Sequence, residues 1–328
     1  MFDLTLSNGR RLHFATPQVM GIINVTPDSF FAGSRVLQPS AGGGMFTSEA
    51  AALLRERVVT MVRQGAGMID VGACSTRPRS EAAAEDEELA RLEWALPIVV
   101  EAVRSAEREQ KEASQQKTGV QDACAEPYIP VSVDTFRARV AEASVSKLGA
   151  DIVNDVSGGA YDGGMLPLVA RLRVPYIMMH IYPTDRMPGS GEAQPITYPE
   201  GVYAGVIGFL KQQLGRLAEL AGGLDRLQGK VVLDPGFGFA KDMDENYRLF
   251  AQLRRFKSDC PDCPLLVGIS RKSMIFKLLG TDAAHALNGT TVLNTLALQA
   301  GADILRVHDV PEAVEAVRIY TKVFESKV

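Results

Sequence analysis

The chain is poor in cysteine, with four in 328 residues, and it has a single tryptophan. So few cysteines over such a length build no disulfide framework, and a reducing, cytoplasmic setting is the expectation. An excess of positive charge is missing too: 35 basic residues face 39 acidic ones, for a formal net charge of -4. That balance excludes a nucleic-acid binder acting through bulk charge and leaves room only for a local cationic pocket. No apolar run approaches the ~18 residues of a membrane span, so no membrane partner is expected. The opening Met1-Phe2-Asp3-Leu4 has an early acid and no long apolar core, unlike a secretory signal. Neither a P-loop Gly-Lys-Ser/Thr nor a dinucleotide fingerprint occurs. What is present is 46% hydrophobic and 23% charged, the composition of a packed soluble globule.

The first fifteen residues alternate in polarity around Ser7-Asn8-Gly9, a hairpin signal because Asn and Gly tolerate the positive φ of a tight turn. A rhythm of short apolar runs follows. They are Val19 to Val25, Met68 to Val71, Ile129 to Val133, Asp151 to Val153, Tyr176 to Met179, Val231 to Leu233, Leu265 to Ile269 and Ile304 to Val307. Each is nearly continuous in apolar residues, as buried parallel strands are. Amphipathic stretches lie between them, including Glu85 to Arg108, Val140 to Leu148, Asn246 to Phe256 and Pro311 to Phe324. Eightfold strand–helix alternation predicts a (β/α)8 TIM barrel, an α/β fold, preceded by a short N-terminal hairpin over residues 1–16. A doubly wound open sheet is the alternative, but it lacks its usual glycine loop after the first strand. No repeat or composition shift marks a second domain, so residues 1–328 are expected to form one unit, with 110–126 a solvated insertion. The longer stretches 32–46 and 183–199 follow strands and are candidate lids.

The predicted strands end in polar residues in all eight cases. They are Asn24, Asp70, Asp134, Asn154-Asp155, His180, Asp234, the Ser270-Arg271-Lys272-Ser273 run and Arg306 with His308. One such Asp is as often a helix cap as a ligand. Eight together need a ligand or a network to satisfy them, and a binding site is the better reading. Asp134, Asn154 and Asp234 suit a flat heterocycle with a guanidine-like edge, since a carboxylate accepts parallel N–H bonds. Lys272 and Arg306 frame the other side. Asn24, Thr76, Arg77 and His308 suit a phosphate or pyrophosphate, with Mg²⁺ neutralising the remaining charge.

At these residues the sequence resembles a known family. Gly21-Ile22-Ile23-Asn24-Val25-Thr26-Pro27-Asp28-Ser29-Phe30 is similar to the first signature of the dihydropteroate synthases. Ser75-Thr76-Arg77-Pro78, Val131-Ser132-Val133-Asp134-Thr135, Asn154-Asp155-Val156-Ser157-Gly158-Gly159, Leu233-Asp234-Pro235-Gly236-Phe237-Gly238-Phe239, Ser270-Arg271-Lys272-Ser273 and Arg306-Val307-His308-Asp309-Val310 resemble its later motifs, in order. The resemblance runs from about residue 18 to 322. It implies condensation of 6-hydroxymethyl-7,8-dihydropterin pyrophosphate with p-aminobenzoate to 7,8-dihydropteroate and pyrophosphate, through an SN1-like displacement with Mg²⁺ as cofactor. It further implies that Asp134, Asn154, Asp234 and Lys272 hold the pterin, with Met179 and Phe239 lining its pocket and Arg306 covering the ring. Asn24, Arg77, Arg306 and His308 would meet the pyrophosphate, Asn24 also the metal, and Thr76, Arg77 and Ser273 the aminobenzoate. Asp134, Asp234, Lys272 and Arg306 are the catalytic candidates, and a homodimer is implied.

Two positions depart from the family pattern: Ala32 stands where an acid is usual in the first loop, and Cys74 where a Glu is common. Other signals are weaker. Cys260-Pro261-Asp262-Cys263 has no second ligand pair for zinc and precedes a strand, unlike a redox motif. Asp242-Met243-Asp244-Glu245-Asn246 starts like a calcium loop, but Tyr247 and Leu253 break it, so it reads as an acidic helix start. His13 and His285 read as surface residues, and Trp94 as wall packing. The competing functions are a methyltetrahydrofolate-dependent methyltransferase and a pterin-binding paralogue without synthase activity.

Overall fold

A computed structural model describes residues 1–26, 46–74, 83–118, 128–181 and 197–325. The hairpin forms as expected: β1 (Phe2–Thr5) pairs antiparallel with β2 (Arg11–Phe14), and Gly9 at φ 85° makes the turn. Eight parallel strands follow: β3 (Gln18–Asn24), β4 (Met68–Gly72), β5 (Val131–Asp134), β6 (Ile152–Asp155), β7 (Tyr176–Met179), β8 (Val231–Asp234), β9 (Leu266–Val267) and β10 (Ile304–Val307). Their order is β8-β7-β6-β5-β4-β3-β10-β9, and a parallel bridge from Leu233 to Leu265 brings β8 back to β9. The sheet therefore closes on itself, and the predicted barrel is borne out.

Helices wrap the outside: α1 (Ser48–Arg63), α2 (Glu85–Thr118), α3 (Ala138–Ser146), α4 (Met165–Leu172), α5 (Val202–Ala221), α6 (Met243–Ala251), α7 (Arg254–Asp259), α8 (Ser273–Leu278), α9 (Leu287–Ala300) and α10 (Val310–Glu325). Thr47 caps α1 by accepting from the Ala50 amide. Asp242 caps α6 in a reciprocal box with Glu245, so this acidic run is a helix start.

Three elements differ in extent from the sequence expectation. α2 runs on through Thr118, so the first part of the expected insertion is helical, and Gln110 donates to the Val62 carbonyl at the end of α1. The stretch expected as one helix over 246–256 breaks into α6 and α7 at Gln252–Leu253. β9 keeps only two ladder residues, since the chain leaves the sheet at Gly268, which lies against Arg306 and Asp234.

Inside the barrel, Met20, Met68, Ile152, Ile177, Val232, Leu266 and Ile304 form one apolar layer. Phe2, Leu4, Leu6 and Leu12 of the hairpin pack against it from the N-terminal end. Lys230 fastens the hairpin by donating to the Leu6 carbonyl at 3.1 Å. The larger cluster fills the space between strands and helices, including Ile69, Val71, Val133, Val153 and Val267.

Candidate functional site

Side chains on a strand return to the same face every second residue. Two residues beyond the apolar layer, the same interior face carries Asp70 after Met68, Asn154 after Ile152, Met179 after Ile177, Asp234 after Val232, Gly268 after Leu266 and Arg306 after Ile304. Asp134 ends β5 in register with Asn154. A polar layer thus lies directly above a sealed apolar one, at the C-terminal face where barrel sites form.

The layer is wired through Arg306. Its Nε donates to Asp70 Oδ2 at 2.7 Å, and its Nη2 to Asp134 Oδ2 at 2.6 Å. Asn154 Nδ2 donates to the same Asp70 oxygen at 3.0 Å. Asp70 is fully buried, and it joins β4 to β6 and β10. The strand-end pattern includes it, but no role followed from the sequence; the signal was its position two residues past the inward Met68.

On the other flank, Asp234 Oδ1 accepts from the Gly236 amide at 2.8 Å. Lys272 Nζ donates to the Phe237 carbonyl at 2.6 Å and lies 4.6 Å from the centre of the Phe239 ring. Asp234 and Asn154 are not on adjacent strands, since β7 runs between them and contributes Met179. Met179, Phe136, Val156 and Ile181 form a small apolar cluster there, with Phe239 against it. A carboxylate, a carboxamide and an ammonium therefore ring a patch of apolar surface, the chemistry that holds a flat nitrogen heterocycle.

Asn24 ends β3 beside this layer: a β-carbon on Gly72 would be 3.6 Å from both Asn24 Oδ1 and Asp134 Oδ2. His308 follows β10, with Nδ1 3.1 Å from the Ser270 hydroxyl. Ser273 opens α8 and is half-buried. Thr76 and Arg77, like the Pro27-to-Ser34 part of the first loop with Ala32, lie outside the described residues. The Arg271 guanidinium is taken up within the fold. It grips Asp309 at 2.8 and 2.9 Å and the carbonyls of Ala283 and Ala284, holding its own loop.

Burial sets the charge states. It raises the Asp134 carboxyl against the pull of Arg306, and raises Asp234 against Lys272. It lowers Lys272 to about 8. His308 is lowered to about 3, by burial first and by Arg306 next, so the free site holds a neutral imidazole. Asp155 is a structural acid: it accepts from Ser157, the Gly159 amide and the Tyr176 hydroxyl, fixing the turn after β6. Lys241, absent from the sequence reading, stands behind the loop after β8, 3.0 Å from His180 Nδ1.

Comparison with known proteins agrees with this geometry. Residues 20–308 match the model of the family described as pterin binding enzyme. The dihydropteroate synthase of Escherichia coli strain K12 is 35% identical over 321 residues, covering 98% of this chain and 96% of that one. The chain belongs to the dihydropteroate synthase family of pterin-binding enzymes. Two solved relatives come from Xanthomonas albilineans. The dihydropteroate synthase with 4-aminobenzoic acid superposes at a TM-score of 0.75 with 33% identity, covering 98% of this chain and 97% of that one. The same organism's enzyme in complex with 7,8-dihydropteroate gives 0.71 and 31%, covering 98% of each.

Against that family frame, the side signals stay structural. Cys260 and Cys263 lie between α7 and β9, before the strand, and burial pushes the Cys263 thiol up to about 12, far from a reactive thiolate. His13 pairs with Asp3 in the hairpin, His285 with Asp282, and Trp94 packs on the outer core against Phe46.

Proposed function

We propose that this chain joins 6-hydroxymethyl-7,8-dihydropterin pyrophosphate to p-aminobenzoate, releasing 7,8-dihydropteroate and pyrophosphate. The observation that carries this is the Asp70–Arg306–Asp134 network with Asn154, set in one polar layer beside Asp234 and Lys272. Asp134, Asn154 and Asp234 would accept the N–H groups of the pterin edge, and Lys272 would donate to its acceptor atoms. Met179 and Phe239 offer the apolar wall, and Arg306 its guanidinium plane.

The chemistry follows from charge. The C–O bond to pyrophosphate breaks, its electrons leave with the pyrophosphate, and a cation spreads over the pterin ring. Preorganised carboxylates at Asp134 and Asp234 stabilise that cation without reorienting. The aminobenzoate nitrogen then forms the new C–N bond and loses a proton. An aryl amine is nucleophilic at neutral pH, so the chain needs no strong general base. Arg306 and the neutral His308 would receive the departing anion, whose charge draws a proton onto the imidazole. Thr76, Arg77 and Ser273 are assigned to the aminobenzoate side, and Arg77 also to pyrophosphate.

Among the described residues, no three His, Cys, Asp or Glu side chains converge on a metal. The described residues therefore offer no protein cage, and Asn24 presents one amide oxygen beside Asp134. That suits Mg²⁺, which takes one or two protein oxygens and fills its shell from phosphate and water. When bound there with pyrophosphate, the ion would neutralise leaving-group charge.

We read residues 1–328 as one cytoplasmic unit; no described helix is long and apolar enough to cross a membrane. Among the described residues, Cys260 and Cys263 form no disulfide, in keeping with a reducing compartment. A homodimer is also proposed. α9 and α10 pack side by side, and they expose Val292, Leu296, Ile319, Val323 and Phe324, an apolar surface that a second copy would cover.

The test is pyrophosphate release from the pterin pyrophosphate with Mg²⁺, with and without p-aminobenzoate. Release accelerated by the amine, with dihydropteroate formed in equal amount, is the expected result. Tight pterin binding without release would sink the synthase reading in favour of a non-catalytic pterin binder.

A further inference from the structure

The loop after β8, residues 235–241, carries two groups of the pterin side: the Phe239 ring and the Phe237 carbonyl that receives Lys272. Its backbone is held in demanding conformations. Gly236 and Gly238 sit at φ 71° and 78°, and Ala240 at 52°, which an alanine adopts only where its surroundings impose it. The fit is close on both sides. A β-carbon at Gly236 would lie 2.0 Å from the His180 carbonyl oxygen, and one at Gly238 3.0 Å from Cδ of Lys272. The loop thus threads between the end of β7 and the stem of Lys272.

One side chain ties it there. Lys241 Nζ donates to the Gly236 carbonyl at 2.9 Å and to the Phe239 carbonyl at 3.0 Å, and meets His180 Nδ1 at 3.0 Å. Neighbouring braces support the same loop: Asn246 Oδ1 accepts from the Gly238 amide, and the Tyr198 hydroxyl donates to the Ala240 carbonyl.

We propose that Lys241 is a positioning residue: its ζ-nitrogen sets where Phe239 and the Phe237 carbonyl stand, and thereby where Lys272 is presented to the pterin. The inference rests on the synthase reading above, and it concerns a residue that touches neither reacting centre.

The role is one of hydrogen bonding rather than charge. Asp234, Lys272 and Glu245 face the group from β8, the start of α8 and α6, and burial lowers Lys241 to about 7. Either protonation state keeps three bonds. The ammonium donates three times to two carbonyls and an unprotonated Nδ1; the neutral amine donates twice and accepts once from a protonated Nδ1.

The experiment is Lys241→Met in the full chain, with KM and kcat for each substrate and thermal unfolding measured together. The expected result is a KM for the pterin pyrophosphate raised about tenfold, with the KM for p-aminobenzoate within about twofold of the parent. A Lys241→Met/Phe239→Ala double variant should lose no more than about twofold beyond the worse single one, because both act through one loop. Equal losses for both substrates, or fully additive losses, would overturn the proposal. If Lys241→Met does not fold, Lys241→Gln, which keeps two N–H donors, is read for the same split between substrates. A parent protein that binds no pterin pyrophosphate would instead defeat the synthase reading itself, leaving the two failures distinct.

Discussion

Arg306 on β10 and Asp70 on β4 are bonded at 2.7 Å across β3, the strand that separates them. Neither residue is adjacent to the other in sequence or in the sheet, so the pair fixes the width of the barrel's upper layer. Asp70 also orients Asn154, and a single carboxylate oxygen serves both donors. Asp70→Ala should therefore lower stability by about 2–4 kcal/mol, since it removes one of the two carboxylates that bond the Arg306 guanidinium among the described residues. Urea unfolding measures this. A loss below about 1 kcal/mol would mean that Arg306 settles on Asp134 alone without strain.

Asp134→Asn keeps the shape of the side chain and removes its charge. If the carboxylate stabilises a pterin cation, kcat should fall about 100-fold while the KM for the pterin pyrophosphate changes far less. Steady-state kinetics with both substrates decides it, and unchanged turnover would remove that role.

Lys272 carries a pH signature. Its ammonium is depressed to about 8 in the folded chain, against 10.5 for the ordinary lysine. The folded state thus binds fewer protons than the unfolded one between these values, and this group's contribution makes stability rise as pH rises through that window. Binding runs the other way. Pterin affinity should weaken as pH climbs past about 8 and the ammonium loses its proton, and Lys272→Met should flatten the dependence. Calorimetric titration between pH 7 and 9 checks it; parallel profiles for both proteins would assign the titration elsewhere.

The exposed apolar face of α9 and α10 predicts self-association. Leu296→Glu would place a charge on that face and should convert a dimer to a monomer, read as a halving of mass by light scattering. A parent protein already monomeric at micromolar concentration would exclude the proposal.

The barrel was legible because buried parallel strands announce themselves as continuous apolar runs, and seven of the eight kept close to the expected bounds. β9 is shorter because the chain leaves the ladder after Val267, a change of direction that a continuous apolar run does not announce. The split of α6 from α7 left no Pro or Gly to mark it. In the site, Asp134, Asn154, Asp234 and Arg306 were expected at strand ends and stand there, whereas Lys272, expected at the end of its strand, stands past the loop after β9 at the head of α8. Asp70 was harder, since its role depends on a partner 236 residues away, and hydrogen bonds of that reach leave no local trace. Lys241 was missed for a related reason: a lysine at the head of an acidic helix reads as solvated surface, and only the fold turns it back toward His180.

The barrel closes unevenly. β3 and β4 share five register pairs, whereas β8 and β9 meet through a single bridge at Leu233 and Leu265. Asp234 follows directly on one side of that seam, and Lys272 stands at the end of the loop on the other. The most lightly stitched line of the cylinder therefore runs beneath the two groups that would grip the pterin from opposite sides. Parting that seam breaks fewer ladder hydrogen bonds than parting β3 from β4, so it is the line along which the barrel yields at least cost.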